Sequence, residues 1–241
     1  LRHQGHDAIV IAPGEGVTEV QGFPVFRAGG VPCLRYPELR LAVRLPGLFP
    51  RLDAWRPDVV HLAGPALLGV QAVRAARRHS IPMAAHYQTD LAAYARYYGI
   101  GWLAPVVWRY VRWIHNQCSR TYVATPTGKR EAIRGGMRRV HVMGRGVDAF
   151  TFNPRRRSEA LRSSWGARPE DLVTLYVGRL AREKNLDQFV ELARALPATK
   201  FVLVGDGPYR PALTAALGDR AHFTGRLDGL QLAAAYASAD M

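Results

Sequence analysis

Short apolar runs alternate along the chain with longer stretches of helical periodicity, and this rhythm constrains the fold more than any other feature. The runs Ala8–Ala12, Val59–Ala63, Met83–Tyr87 and Thr121–Ala124 predict strands, and helical patterns such as Ala66–His79 separate them. Strands that alternate with helices in this way are typical of βαβ units around a parallel sheet. The sequence therefore predicts an α/β fold.

The rhythm breaks between Gly144 and Asp171 and then resumes. The break contains an Asn-Pro turn and the basic triplet Arg155–Arg157, which predict a domain junction. Further elements are expected beyond it, namely strands at Leu172–Val177, Lys200–Val204 and Ala221–Thr224, and helices at Leu186–Leu196, Pro208–Leu217 and from Asp228. We therefore expect two Rossmann-like domains, residues 1–148 and residues 149–241.

Both ends of the chain interrupt predicted elements. Leu1–Gly5 has the character of the last turn of a helix that enters a strand. At the other end, Ala237–Met241 stops where another strand is expected. We therefore expect a fragment whose first domain lacks its first strand and whose second domain is truncated.

Composition excludes several classes of protein. The 48% hydrophobic and 22% charged residues are ordinary for a globular chain. No apolar run reaches the roughly 18 residues of a membrane-spanning helix, and a signal-peptide layout is lacking. Two cysteines, Cys33 and Cys118, are too few for a disulfide framework or a cysteine-based metal site. Cytoplasmic localisation is the expectation.

Basic residues are concentrated in the first half of the chain. The formal net charge is +14, and residues 1–148 hold 20 basic and 9 acidic side chains, a net of +11. Arginine far outnumbers lysine, which genomic base composition explains as readily as function. Basic surfaces attract nucleic acids, anionic membranes and phosphorylated substrates alike, so the sign of the charge does not choose among them.

The strongest candidate binding loop runs from Val177 to Asn185, between a predicted buried strand and a predicted helix. Ligands of open α/β sheets bind beyond the carboxyl ends of the strands. Gly178 permits a tight turn, and the guanidinium of Arg179 can donate to two phosphate oxygens at once. Lys184 adds a positive charge near the electropositive N-terminus of the helix. A diphosphate suits this loop better than the alternative of a solvated charged loop.

A second loop, Val204–Pro208, is less specific. It has two glycines, but Arg210 stands where a dinucleotide fingerprint has its third. Taken alone, the loop is better explained by a sharp turn with Pro208 at the first helical position.

A third loop, His86–Asp90, gathers polar side chains at the end of a predicted strand. Strand alternation places His86 and Gln88 on one face and Tyr87 and Thr89 on the other. Thr89 or Asp90 either caps the next helix or contacts a substrate, and the sequence leaves both roles open.

Searches for other catalytic motifs give no match. The chain has no G-x-x-x-x-G-K-[ST] loop, no H-E-x-x-H, no G-x-S-x-G and no D-x-D pair. Four histidines lie in or beside apolar segments without the spacing of metal ligands, so structural roles are favoured for His61, His115, His141 and His222. No metal site is predicted.

A strand followed by G-R-x-x-x-E-K-N, as at Gly178–Asn185, resembles the donor-diphosphate loop of glycosyltransferase family 4. The segments Tyr87–Asp90, Arg145–Asp148, Val204–Pro208 and Phe223–Gly225 support the resemblance in the same order, so that it covers essentially the whole chain. It implies the GT-B fold of two Rossmann-like domains. The first domain would receive the acceptor and the second the sugar nucleotide.

The resemblance also implies roles for individual residues. Those assigned to donor binding are Gly178, Arg179, Lys184, Gly205, Asp206, Gly207, Thr224 and Gly225. Arg145 and Asp148 are assigned to the interdomain cleft, and Gln88 and Asp90 are the catalytic candidates. Many family members have a histidine where Gln88 stands, which sets this chain apart from them.

Transfer in the family is retaining, is described without a metal, and lets the donor phosphate accept the acceptor's proton. Arg179 and Lys184 would then stabilise charge on the departing diphosphate. The family's glycine-rich loop and E-x7-E element lie outside this chain, so negligible transfer is expected from these residues alone.

The predicted function is therefore transfer of a hexosyl group from a nucleotide sugar to a lipid or glycan acceptor. The Y-Q-T-D form of Tyr87–Asp90 resembles bacterial enzymes that use GDP-mannose, which favours a mannosyl group, and no other cofactor is expected. The rivals are a basic nucleic-acid-binding or regulatory module and another sugar-nucleotide enzyme on the same fold. No nucleic-acid-binding motif accompanies the charge, so a nucleic acid is not an expected partner.

The segment Pro105–Cys118 predicts a helix with one apolar stripe facing the core, formed by Val107, Tyr110, Val111, Ile114 and Cys118. Aromatic and arginine side chains outside the stripe would suit a lipid headgroup layer, and they are Arg96, Tyr97, Tyr98, Trp102, Trp108, Arg109, Arg112 and Trp113. They pack inside the protein or line the acceptor cleft in the alternative interpretation. The first interpretation predicts peripheral attachment to an anionic membrane at its cytoplasmic face.

Overall fold

The computed structural model describes residues 2–33, 36–42, 46–64, 67–97 and 99–241. The chain divides into two compact units, residues 1–145 and residues 146–241. Across the described residues, no helix combines the length and apolar character needed to cross a membrane.

Among its described residues, the first unit contains a four-stranded parallel sheet, a three-stranded mixed sheet and a strand pair. Its helices and strands are, in order, β1 (Val10–Pro13), β2 (Glu19–Val20), β3 (Phe23–Ala28), β4 (Val31–Cys33), β5 (Tyr36–Leu41), α1 (Leu48–Trp55), β6 (Val60–Leu62), α2 (Leu68–Arg78), β7 (Met83–His86), α3 (Leu91–Tyr97), α4 (Ala104–Gln117), β8 (Arg120–Val123), α5 (Pro126–Arg134) and β9 (Val140–Val142). Strands β6, β7, β8 and β9 form the parallel sheet in that order. Strand β3 pairs in parallel with β1 and antiparallel with β2, and β4 pairs antiparallel with β5.

Helix α4 buries the predicted stripe against the sheet. Val111, Ile114 and Cys118 are buried, and Val107 and Tyr110 are half-buried, so this prediction is confirmed. Each fully buried large aliphatic side chain contributes about 1.5–3 kcal/mol, which makes this stripe a main attachment of the helix.

The second unit is a three-stranded parallel sheet with helices on both faces. Its elements are α6 (Glu159–Ser164), β10 (Val173–Val177), α7 (Asp187–Ala195), β11 (Lys200–Val204), α8 (Arg210–Leu217), β12 (Ala221–Gly225) and α9 (Gly229–Ser238). Side chains of the central strand alternate between two cores: Phe201 and Leu203 pack with Leu186 and Leu213, whereas Val202 packs with other residues near α9. Strand β11 is buried on both faces, as its continuous apolar sequence predicts.

A buried cation links α6 to the end of α9 and to Asp240 beyond it. Arg162 is 1% exposed, and its guanidinium donates to the carbonyl oxygens of Ser238 and Asp171 and, at 2.8 Å, to the Asp240 carboxylate. Burial alone would raise the pKa of Asp240, but hydrogen bonds, first among them those from Arg162, hold it below its ordinary value. The Met241 amide donates to Val173, which places the chain beside β10 on the edge away from β11.

The predicted α/β class with parallel sheets is confirmed, and the differences concern element boundaries and some strands that were not predicted. The helix predicted at Pro208–Leu217 begins at Arg210 instead, because Pro208 lies in a turn and Pro211 occupies the first helical turn. The predicted helix Ala66–His79 spans Leu68–Arg78, and Ala66 lies outside the described residues. Strands β2 to β5 were not predicted, because glycine and proline interrupt their apolar pattern.

Candidate functional site

The carboxyl ends of β10, β11 and β12 meet at one edge of the sheet in the second unit. Backbone hydrogen bonds join them there: the Gly178 amide donates to Val204 at 3.0 Å, and the Gly205 amide donates to Gly225 at 2.8 Å. The helices that follow these strands start from the same edge, so their N-terminal N–H groups make it electropositive. The structure thus brings together three segments that the sequence singled out.

Two glycines let the loop after β11 lie directly against the loop after β10. Gly205 and Gly207 have φ values of 132° and 156°. A Cβ on Gly205 would overlap the carbonyl oxygen of Gly178, and one on Gly207 would overlap that of Leu180. The Leu180 amide donates to the carbonyl of Asp206 at 2.9 Å. From the sequence we attributed these glycines to a sharp turn. The contact between two loops that are far apart along the chain requires them as well.

Arg179 contacts a buried carboxylate. Its Nη2 lies 3.4 Å from Oε1 of Glu183, and the two side chains are 21% and 3% exposed. The carbonyl of Arg179 accepts a hydrogen bond of 3.0 Å from the Tyr176 hydroxyl. Burial, and then the charge of Glu183, raise the pKa of Tyr176, so this hydroxyl stays a donor. Sequence reasoning missed Glu183, although its spacing of four residues from Arg179 was a usable signal.

Lys184 lies in the turn just before α7, near the start of that helix as the sequence predicts. It is exposed in a 3-10 turn, Arg182–Lys184, and Asn185 then adopts the left-handed conformation with a φ of 52°. Helix α7 begins at Asp187 rather than at the predicted Leu186. The ammonium group is therefore carried by a short turn at the electropositive edge.

The other predicted donor-binding residues have mixed surroundings. Asp206 accepts from the Gly207 amide at 2.8 Å and lies 3.7 Å from Arg210. The Thr224 hydroxyl donates to the carbonyl of Gly225 at 2.8 Å. No atom lies within 4 Å of the position that a Cβ on Gly225 would occupy. Asp206 and Thr224 therefore brace their own loops, whereas Gly225 borders open space.

In the first unit, the residues after β7 are held by one backbone bond to the neighbouring strand, from the Tyr87 amide to the Tyr122 carbonyl at 2.8 Å, and by side chains. The Tyr87 ring packs edge-on against Trp108 and His115, and its hydroxyl hydrogen-bonds to Asp90. Burial and the Asp90 charge raise the pKa of Tyr87. Asp90 also accepts from the Ala93 amide at 2.9 Å, so it caps α3. One of the two roles left open for Asp90, the helix cap, is therefore present.

Gln88 and Arg145 meet in the first unit although 57 positions separate them. Arg145 Nη2 donates to Gln88 Oε1 at 3.3 Å. Asp148 belongs to the second unit, where its carboxylate accepts from the Phe150 and Thr151 amides. Hydrogen bonds from Thr151 are the main reason that the pKa of Asp148 is lowered. Strand β7 ends at His86, so the strand alternation expected for Gln88 does not reach it.

The histidines near the parallel sheet of the first unit differ in their contacts and burial. His61 Nε2 lies 2.6 Å from His86 Nδ1, and burial followed by the neighbouring His86 lowers the pKa of His61. His115 is fully buried, and burial lowers its pKa to about 4. The structural role predicted for His115 is confirmed, while the contact between His61 and His86 was not foreseen from sequence.

Of the described aromatic residues considered for a lipid surface, Trp108 is packed inside. It is half-buried and its Nε1 donates to the carbonyl of Gly135 at 3.1 Å, as the alternative interpretation predicts for this residue. Trp102 is 77% exposed and Trp113 41% exposed. Tyr98 lies outside the described residues, as does the side chain of Tyr97.

Two family models together match almost the whole chain. The model described as Glycosyltransferase Family 4 matches residues 1–149, and the one described as Glycosyl transferases group 1 matches residues 157–241. The chain belongs to glycosyltransferase family 4. The resemblance drawn from the sequence is thus confirmed.

Relatives of this family 4 chain include two proteins named GDP-mannose-dependent alpha-mannosyltransferase. The one from Corynebacterium glutamicum is 38% identical over the whole chain, which covers 59% of that protein. The one from Mycobacterium tuberculosis is 41% identical, and the chain covers 65% of it. The chain therefore spans about three fifths of the length of these relatives.

A solved structure supports the fold of the family 4 chain. The Anabaena protein Alr3699/HepE, in complex with UDP and glucose, superimposes with a TM-score of 0.69 and 18% identity. The match covers 91% of this chain and 60% of that one. At this identity the likeness establishes the α/β fold with parallel sheets, which is the GT-B fold expected from the sequence.

Proposed function

We propose that the protein is a retaining glycosyltransferase that moves a mannosyl group from GDP-mannose to a lipid or glycan acceptor. The observation that carries the proposal is the pair of interlocked loops at the carboxyl edge of β10 and β11, which presents Arg179 and Lys184 beside helix N-termini. Two cations at such an edge suit a diphosphate. The names of the two bacterial relatives favour GDP-mannose over other sugar nucleotides.

In the proposed reaction, the bond between the sugar's anomeric carbon and the donor phosphate breaks as the acceptor oxygen bonds to that carbon on the same face. The acceptor's proton passes to the departing phosphate, so atoms and charges balance without an enzyme base. Arg179 and Lys184 would stabilise the charge that grows on the diphosphate, an effect that is strongest when the donors are fixed in advance.

The remaining assignments follow the two-domain proposal. Residues 149–241 would hold the donor, with Gly205 to Gly207, Thr224 and Gly225 near the nucleotide, and residues 1–148 would receive the acceptor. Gln88 and Asp90 would contact the sugar undergoing transfer. The hydrogen bond between Arg145 and Gln88 supports a shared site for these two.

Nucleotide binding tests the proposal. A ligand that binds only the native state stabilises it by an amount that grows with its concentration over Kd, about 2.7 kcal/mol at a hundredfold excess. We expect GDP to raise the melting temperature of the whole protein more than UDP or ADP does. No shift with any of the three would refute the donor-site assignment. Transfer from GDP-mannose with an α-configured product would confirm the reaction.

We also propose that the protein works at the cytoplasmic face of an anionic membrane, attached through α4 and the turn before it. Val106, Arg109 and Trp113 follow one another on α4 at spacings of three and four, so they share a helix face, and Trp102 lies in the 3-10 turn just before it. Trp102, Val106 and Trp113 are 77%, 63% and 41% exposed, and Arg109 is exposed. Tryptophan and arginine side chains on one exposed face suit the headgroup layer.

Vesicle sedimentation can test this attachment. Each basic residue near an anionic surface contributes about 1 kcal/mol, so binding should appear with anionic vesicles, weaken with salt, and fall several-fold in Arg109→Glu. Arg194→Glu is the matched control, because Arg194 is exposed on α7 in the second unit. Equal binding to neutral vesicles, or binding to neither kind, would contradict the proposal.

A further inference from the structure

The proposed donor loop contains a carboxylate whose side chain is almost completely buried. Glu183 belongs to the turn Arg182–Lys184, and its side chain is only 3% exposed. Carboxylates are rarely buried unless they are paired with a cation. Moving the charged group out of water costs free energy, and without a partner nothing offsets that cost. Glu183 Oε1 lies 3.4 Å from Nη2 of Arg179. The fold therefore keeps a negative charge next to the cation that would bind the diphosphate.

The backbone beneath this ion pair is fixed as well. The Tyr176 hydroxyl donates to the carbonyl of Arg179, and its ring packs edge-on against Phe189 with centroids 6.1 Å apart. The Lys184 amide donates to the carbonyl of Ala181 at 3.0 Å and closes the turn. Both the main chain and the guanidinium of Arg179 are thus constrained before any ligand arrives.

We infer that Glu183 is a positioning residue, whose buried carboxylate orients Arg179 so that a nucleoside diphosphate meets a guanidinium that is already aligned. The inference rests on the proposed function, since it requires a diphosphate at this loop. Immobilising a long side chain during binding costs affinity, and a side chain ordered beforehand avoids that loss.

The charge of Glu183 also repels a diphosphate, so two effects oppose each other. Charge-assisted hydrogen bonds from a guanidinium depend on its direction and are made at contact distance. The carboxylate acts from farther away and is largely neutralised by its pairing with Arg179, and Coulomb energy falls with distance. Orientation therefore outweighs repulsion, and loss of the carboxylate weakens binding.

The test is GDP binding by isothermal titration to the whole protein and its variants. Glu183→Gln keeps the shape but removes the charge, and we expect about tenfold weaker binding, equivalent to about 1.4 kcal/mol. Glu183→Asp should recover part of the affinity. Glu191→Gln, at an exposed carboxylate on α7, should bind like the wild type. Glu183→Gln should cause no further loss in an Arg179→Ala background, because the effect passes through Arg179.

Each contrary outcome has a distinct meaning. Unchanged or tighter GDP binding by Glu183→Gln would overturn the positioning role while leaving the proposed function intact. An equal loss with and without Arg179 would overturn it too, since Glu183 would then act through the fold alone. If Glu183→Gln does not fold, full affinity in Glu183→Asp would contradict the requirement for a placed carboxylate. Wild-type protein that binds no nucleotide would refute the proposed function itself.

Discussion

The strand-end loops of the two units are held in different ways. In the second unit, main-chain atoms meet directly: Gly205 and Gly207 lie against the carbonyls of Gly178 and Leu180, and amides bond from loop to loop. In the first unit, the segment after β7 has one such backbone bond, from the Tyr87 amide to the Tyr122 carbonyl, and otherwise depends on side chains, such as the ring contacts of Tyr87. A binding surface made of main-chain atoms changes little when residues are substituted. A binding surface made of side chains changes with each substitution.

This difference matches what each half of the proposed reaction needs. The diphosphate is the same in UDP-, GDP- and ADP-sugars, so a fixed main-chain surface with two cations suits it. Acceptors and sugars differ between enzymes, and a surface of replaceable side chains can follow them. The position of Gln88, where many family members have histidine, lies on that replaceable surface.

The largest expected effect breaks the backbone contact in the second unit. In Gly205→Ala, the new methyl group meets the Gly178 carbonyl, and an L residue at a φ of 132° is strained as well. We expect a loss of about 3 kcal/mol or more in the free energy of unfolding. Urea unfolding followed by circular dichroism measures it.

Gly225→Ala separates the effect of the steric clash from that of the backbone strain. Gly225 also has a positive φ of 74°, but no atom lies within 4 Å of its added Cβ. It should therefore lose only the strain, about 1–2 kcal/mol. Equal losses in the two variants would show that the loops are not locked by contact.

Acid should act on the first unit through His115. Burial lowers its pKa from an ordinary value of 6.5 to about 4, and its Nε2 has no partner among the described residues. Between pH 6.5 and pH 4, His115 therefore binds a proton in the unfolded chain but not in the folded one. The free energy of unfolding is highest above pH 6.5 and falls by about 3 kcal/mol as the pH drops to 4. His115→Phe should flatten this dependence.

Tryptophan fluorescence is a suitable measurement, because four of the five tryptophans belong to the first unit. His141→Gln is the control, since His141 is exposed. If His115→Phe and wild type lose the same stability between pH 6.5 and pH 4, the burial of His115 does not control this response.

The donor loop itself gives an effect of intermediate size. Arg179→Ala or Lys184→Ala should weaken GDP binding by about 1.5–3 kcal/mol, since each removes a charge-assisted hydrogen bond. Lys184→Ala should leave the melting temperature nearly unchanged, because its side chain is exposed. Calorimetry that shows unchanged affinity in both variants would remove the diphosphate from this loop.

The smallest expected effect concerns Gln88. Its side chain is exposed and contacts Arg145 at 3.3 Å, so Gln88→Ala should change the free energy of unfolding by less than about 0.5 kcal/mol. Turnover should fall while GDP affinity stays at the wild-type value, since the diphosphate is assigned to the second unit. A matching loss of GDP affinity would contradict the assignment of diphosphate binding to the second unit alone.

Patterns local in sequence were predictable, and contacts between distant segments were not. The strand Lys200–Val204 follows from its continuous apolar run, and the stripe of α4 follows from helical spacing. The loop contact at Gly205 depends on a carbonyl 27 positions earlier, and the pairing of Gln88 with Arg145 spans 57 positions. No local pattern carries that information.

The buried guanidinium of Arg162 has a consequence for how the second unit is made. Its carboxylate partner, Asp240, follows it by 78 positions, and the carbonyl of Ser238 by 76. During synthesis from the N-terminus, the helix with Arg162 exists well before those partners, and a buried cation without them is costly. Arg162 therefore reaches its buried, paired state only after the segment around Asp240 has emerged, and a ribosome that stalls before that segment holds a chain in which this cation still lacks its partners.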